Sequence, residues 1–119
     1  MPPQIQEFSF GNEPANAGDL ATVQCAVAKG DSPINITWLF NDVLANSISG
    51  VVITPLGSRV SSLTIESVGA HHRGHYNCIA ANKAGSTNFT SYLTVNGNWR
   101  FYYFLFFFYL SLIFFSTFS

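Results

Sequence analysis

Charge is scarce in this chain. Only 9% of its 119 residues are Asp, Glu, Lys or Arg, with a formal net charge of −1, where an ordinary domain has about a quarter. Five scattered Lys and Arg form no basic stripe, which excludes binding to a nucleic-acid backbone. No acidic run is present to attract a basic partner or to build a calcium cage. The start, Met1-Pro2-Pro3-Gln4, lacks the charged and apolar regions of a secretory leader, so no signal peptide is expected in this chain. Serines without a positioned Asp and His, no paired carboxylates and no phosphate-cradling glycine loop leave no basis for an enzyme or a cofactor. The two cysteines allow one disulfide or none.

What is present is unevenly spread. Twelve of the nineteen aromatics lie between Trp99 and Ser119, where Arg100 is the only charged residue. The chain therefore divides near Gly97 into a domain, 2–97, and a hydrophobic aromatic tail, 98–119, each to be read separately. The tail has the length and apolarity of a membrane-spanning helix, yet no basic cluster follows it. Phe, Tyr, Leu, Ile and Ser all have T-rich codons, and Gly97-Asn98 can be encoded as GGTAAT, a splice-donor-like string. Intron read-through is therefore the favoured reading of the tail, and a helical membrane anchor the other.

Within 2–97 the pattern is of strands. Val23, Cys25 and Val27 alternate with Thr22, Gln24 and Ala26, the period of a strand with one buried face. Ile36, Trp38 and Phe40 alternate in the same way, as do Leu63 with Ile65 and Tyr76 with Cys78 and Ala80. Phe89, Leu93 and Val95 share a parity near the end, and Ile5 and Phe8 anchor an extended start. Turn clusters such as Lys29-Gly30-Asp31-Ser32-Pro33 and Asn41-Asp42 punctuate the runs. Seven or eight short strands at this spacing predict an all-β sandwich of two antiparallel sheets.

Cys25 and Cys78 fall on separate strands, both inward, with Trp38 inward between them and Tyr76 two residues before the second cysteine. This constellation resembles an immunoglobulin-like domain of the intermediate set. The resemblance implies a Cys25–Cys78 bridge between the sheets, Trp38 packed against it, and a Tyr76 hydroxyl returned to the backbone. Two unrelated thiols are the alternative. One departure stands out: His72 occupies the place of the usual Asp in His72-Arg73-Gly74-His75-Tyr76-Asn77-Cys78, so the carboxylate–arginine bridge of that Asp is not expected.

A narrower likeness rests on Pro2-Pro3-Gln4-Ile5, Phe8-Ser9-Phe10-Gly11, Gly30-Asp31-Ser32-Pro33-Ile34-Asn35-Ile36-Thr37-Trp38, Ile65-Glu66-Ser67-Val68 and Asn82-Lys83-Ala84-Gly85. Over 2–97 these strings resemble the arthropod Down syndrome cell adhesion molecule family, in particular its alternatively spliced seventh immunoglobulin domain. The resemblance implies a domain on the outer side of the cell membrane, within a larger receptor, that pairs with an identical copy for isoform-specific neuronal self-recognition. Other readings are an immune-type receptor domain for non-self ligands, or a structural intracellular module of the muscle-giant type. Attachment to the membrane is expected through the tail or the parent receptor.

Two sequons, Asn35-Ile36-Thr37 and Asn88-Phe89-Thr90, are glycosylation acceptors by pattern. Both asparagines alternate with inward residues on one sheet, beside Leu39 and Ile79 as apolar outward positions. The opposite sheet carries no sequon. Its outward positions are expected to be Gln4, Gln6, Thr22, Gln24, Ser62, Thr64 and Glu66, nearly uncharged and suited to self-complementary packing. His71, His72 and His75 are expected to be solvent-facing imidazoles on the loop before a strand, with no metal site.

Overall fold

The computed structural model describes residues 1–96; both readings of the tail concern residues outside that range. Eight strands run in chain order: β1 (Gln4–Ile5), β2 (Ala21–Lys29), β3 (Asn35–Phe40), β4 (Val43–Leu44), β5 (Val51–Pro55), β6 (Val60–Ile65), β7 (Gly74–Asn82) and β8 (Gly85–Leu93). They form two four-stranded sheets, β1-β2-β6-β5 and β4-β3-β7-β8, with antiparallel neighbours throughout. The expected sandwich is therefore the observed one. Ala15 and Val95 add an isolated parallel bridge, which ties the chain's first loop to the segment after β8.

The alternation read from the sequence is the burial pattern itself. Val23, Cys25 and Val27 of β2, Trp38 and Phe40 of β3, Leu63 and Ile65 of β6, and Tyr76, Cys78 and Ala80 of β7 are all buried. Each strand has one face against the other sheet and one outward, so residues two apart share an environment. Phe8 packs edge-on to Trp38 and Phe89, at centroid distances of 5.4 and 4.9 Å, and closes the side of the core beside β8. Backbone bonds from Ala15 N to Thr94 O and from Asn96 N to Ala15 O, 2.9 and 2.7 Å, secure the far end. Residues 1–96 thus enclose a hydrophobic core of their own.

Two short elements escaped the strand pattern, β4 and the helical turn after it, though the Asn41-Asp42 turn before them was expected. Asn41 and Asp42 both have positive φ, 47° and 69°, the backbone of a two-residue hairpin turn that folds β4 onto β3. A single turn of 3₁₀ helix, Ala45–Ser47, follows. Gly74 begins β7 with φ of 154°, and a Cβ there would lie 2.6 Å from the Asn41 side chain and 2.8 Å from the Phe40 ring. Only glycine lets this hairpin close so tightly against β7.

Candidate self-recognition surface

Cys25 and Cys78, both fully buried, are joined by a disulfide with a Cα–Cα distance of 6.4 Å and a sequence separation of 53. It links β2 of one sheet to β7 of the other. Trp38 sits beside Cys78 in the β3–β7 register, and its Nε1–H donates to Ser61 Oγ at 3.0 Å. Ser61 is 5% exposed. It shares the parity of Leu63 and Ile65, which was the signal for its burial, although the strand reading named only the two aliphatic residues. The Tyr76 hydroxyl donates to the backbone oxygen of His72 at 2.7 Å, so the expected corner is present, and burial pushes its pKa up.

The histidines correct one expectation. His72 is not solvent-facing: it is 1% exposed, wedged in a single 3₁₀ turn, Ala70–His72. Gly69 N–H donates to its Nδ1 at 2.8 Å, and its Nε2 is bonded to Ser49 O at 2.8 Å. Both ring nitrogens are thus satisfied, and a polar group so satisfied can be buried. His71 is exposed and stacks on it at 3.8 Å, and His75 is an exposed member of β7, edge-on to Tyr92. Among the described residues no three His, Cys, Asp or Glu gather as metal ligands. Arg59 donates to Gly30 O at 2.7 Å.

The outer face of β4-β3-β7-β8 carries both sequons. Asn35 and Asn88 are exposed, and the register aligns Asn35 with Ala81, and Asn88 with Ile79 and Thr37. The two acceptors therefore lie two rows apart in register, on either side of β7. Leu39 and Ile79 are half-buried there rather than exposed.

The opposite outer face is different. Thr22 pairs with Thr64 and Gln24 with Ser62 across β2 and β6, and the Thr22 and Thr64 hydroxyls are 3.1 Å apart. Gln4, Gln6, Thr22, Gln24 and Glu66 are exposed, and Ser62 and Thr64 half-buried. The register then adds two positions that the sequence reading missed, because β5 had no alternation long enough to give its parity. Val52 pairs with Thr64 and Thr54 with Ser62, so both extend the same rows. Val52 is 52% exposed, an apolar anchor in a field of hydroxyls and amides. Where β3 and β5 part, the sandwich opens into a groove lined by Pro33, Ile36, Ile53, Pro55 and Val60, whose polar side chains are serine hydroxyls without a base.

A family model of the immunoglobulin domain matches residues 2–82. The chain belongs to the immunoglobulin domain family. Among proteins, the cell adhesion molecule Dscam1 of Drosophila melanogaster is 43% identical over 97 residues, 81% of this chain and 5% of that protein. This immunoglobulin domain thus spans about one twentieth of the length of that relative. Among solved structures, the Dscam1 Ig7 domain, isoform 5, is 49% identical with a TM-score of 0.77, covering 80% of this chain and 97% of that one. A titin I-band fragment, I67–I69, reaches 26% identity and a TM-score of 0.71, covering 80% and 32%. The likeness to the seventh immunoglobulin domain of the Down syndrome cell adhesion molecule family, expected from the sequence strings, is borne out.

Proposed function

We propose that residues 2–97 are an extracellular recognition module that binds an identical copy through the outer face of β1-β2-β6-β5, within a larger cell adhesion receptor. The observation that carries this reading is the contrast between the two faces. One presents two sequons; the other presents Thr22, Gln24, Ser62, Thr64, Thr54 and the exposed Val52, with Glu66 the one charge among its named outward positions. A two-fold interface sets each residue against a symmetry-related set, so a face with a single charge, Glu66, meets itself with little like-charge repulsion. Glycans at Asn35 and Asn88 leave that face as the open one. The buried disulfide favours the oxidising exterior of the cell, which speaks against an intracellular structural module. The part played by this chain is binding rather than catalysis, with attachment to the membrane supplied by the tail or the parent receptor.

The test is clustering of beads displaying the chain, with identical and non-identical copies mixed. Identical copies are expected to cluster, and Gln24→Lys with Thr64→Lys to abolish it, while Asn77→Lys with Ser86→Lys on the sequon-bearing sheet leaves it intact. Unchanged clustering with the first pair overturns the assignment of the face. Equal clustering of unlike copies favours the immune-type reading.

A further inference from the structure

His72 is a buried titratable side chain whose two ring nitrogens are fixed in opposite roles. A backbone N–H can only donate, so Gly69 N–H at 2.8 Å requires a bare Nδ1. The ring proton of the neutral form must then sit on Nε2, where it donates to Ser49 O at 2.8 Å. A second proton has one place to go, Nδ1, where it meets the Gly69 N–H head-on. Protonation therefore breaks one hydrogen bond, sets two donors against each other and leaves a charge in a buried site.

The surroundings give that charge no help. The titratable groups set against His72 are the His71 ring, tilted against it at 3.8 Å with its Nε2 also 3.2 Å from Ser49 O, and the Tyr76 hydroxyl of β7 on its backbone oxygen. Ser49 and Gly50 pack on its other side and carry no titratable group. Burial, opposed in part by the Ser49 carbonyl and aided by His71, holds the ring's pKa below its ordinary value.

What the ring holds is the start of β5. Ser49 and Gly50 lead directly into Val51–Pro55, and Gly50, with φ of 87°, lies so close that a Cβ would sit 3.1 Å from His72 Nε2. β5 is the outer strand of the proposed self-binding sheet and carries Val52. We propose that His72 is a proton-operated clasp: neutral, it joins the Gly69 corner before β7 to the Ser49-Gly50 turn and β5; protonated below neutral pH, it loses the Gly69 bond and leaves its buried site for water, which frees that turn and β5 and weakens self-association.

The first half of this proposal stands on His72 alone; the second rests on the self-binding face proposed above. The folded ring has the lower pKa, so the unfolded or released state takes up more protons. The clasp is then intact above about pH 6.5, the ordinary His value, and is lost as pH falls towards the folded value. One proton changes the opening equilibrium by at most about tenfold per pH unit.

The experiment follows residues 1–96 between pH 7.5 and 5.5 by imidazole NMR, by hydrogen exchange corrected for its intrinsic pH dependence, and by self-binding. The partner variant is His72→Asp, whose carboxylate keeps the Gly69 contact without titrating in this range. The native chain is expected to show a bare Nδ1, a His72 pKa below about 6.5, and severalfold faster exchange in Val51–Ile53 at pH 5.5. Its self-binding is expected to weaken in parallel, with His72→Asp flat in both. Matching pH profiles in the two proteins overturn the clasp. If the variant does not fold, a native His72 that titrates at or above the free value overturns it instead. PH-dependent exchange at β5 without self-binding at pH 7.5 supports the clasp and counts against the self-binding face.

Discussion

At the residue scale, the chain's polar groups inside the sandwich each answer a specific partner. Trp38 Nε1 meets Ser61, Tyr76 meets the His72 carbonyl, and His72 meets Gly69 and Ser49. Among the described residues no buried side-chain nitrogen or oxygen is left without a partner. Tyr76→Phe leaves the His72 carbonyl unsatisfied in a buried site, and is expected to cost about 1–2 kcal/mol, read from urea unfolding at pH 7.5. A cost indistinguishable from zero would show that water replaces the hydroxyl. Cys25, Trp38, Tyr76 and Cys78 were legible in the sequence because parity and spacing alone place them inward. His72 was not, because its burial depends on Ser49 O, 23 positions away, and no local pattern reveals a remote acceptor.

At the scale of elements, long strands declared themselves and short ones did not. β2 and β7 each run nine residues, enough turns of the pleat for their alternation to be unmistakable. β4 has two residues, both exposed, and so offers no period. It exists because the Asn41-Asp42 turn aims it back along β3, with Asn41 Oδ1 accepting from His75 N–H at 2.9 Å. Gly74→Ala tests that account. A methyl group there strains the backbone and collides with Asn41 and Phe40, which is expected to cost roughly 2–4 kcal/mol. An unfolding midpoint within error of the native chain would contradict the close approach. The β5 face residues Val52 and Thr54 were missed for the same reason as β4: their place follows from pairing with β6.

At the scale of the whole molecule, two sheets are held by one covalent bond and a shared core. Closing a loop across 53 residues contributes about 4 kcal/mol in the chain-entropy model, a large part of the ~5–15 kcal/mol of a typical domain. Thermal unfolding of residues 1–96 with and without reductant is therefore expected to show a fall of many degrees on reduction; an unchanged midpoint would mean that the core alone suffices. The all-β architecture and the two unlike faces were legible from composition and alternation, since a glycan acceptor and an uncharged row are properties of residue type. Which residues would complete the proposed binding face follows from sheet order.

The central claim is that copies meet through β1-β2-β6-β5. Hydroxyl-radical footprinting of glycosylated residues 1–96, below and above the concentration of self-association, tests it most directly. The account predicts that Val52 loses reactivity on association while Leu39, Ile79 and Tyr92 of the other face do not change. Protection of Leu39, Ile79 and Tyr92 with Val52 unaltered would contradict it.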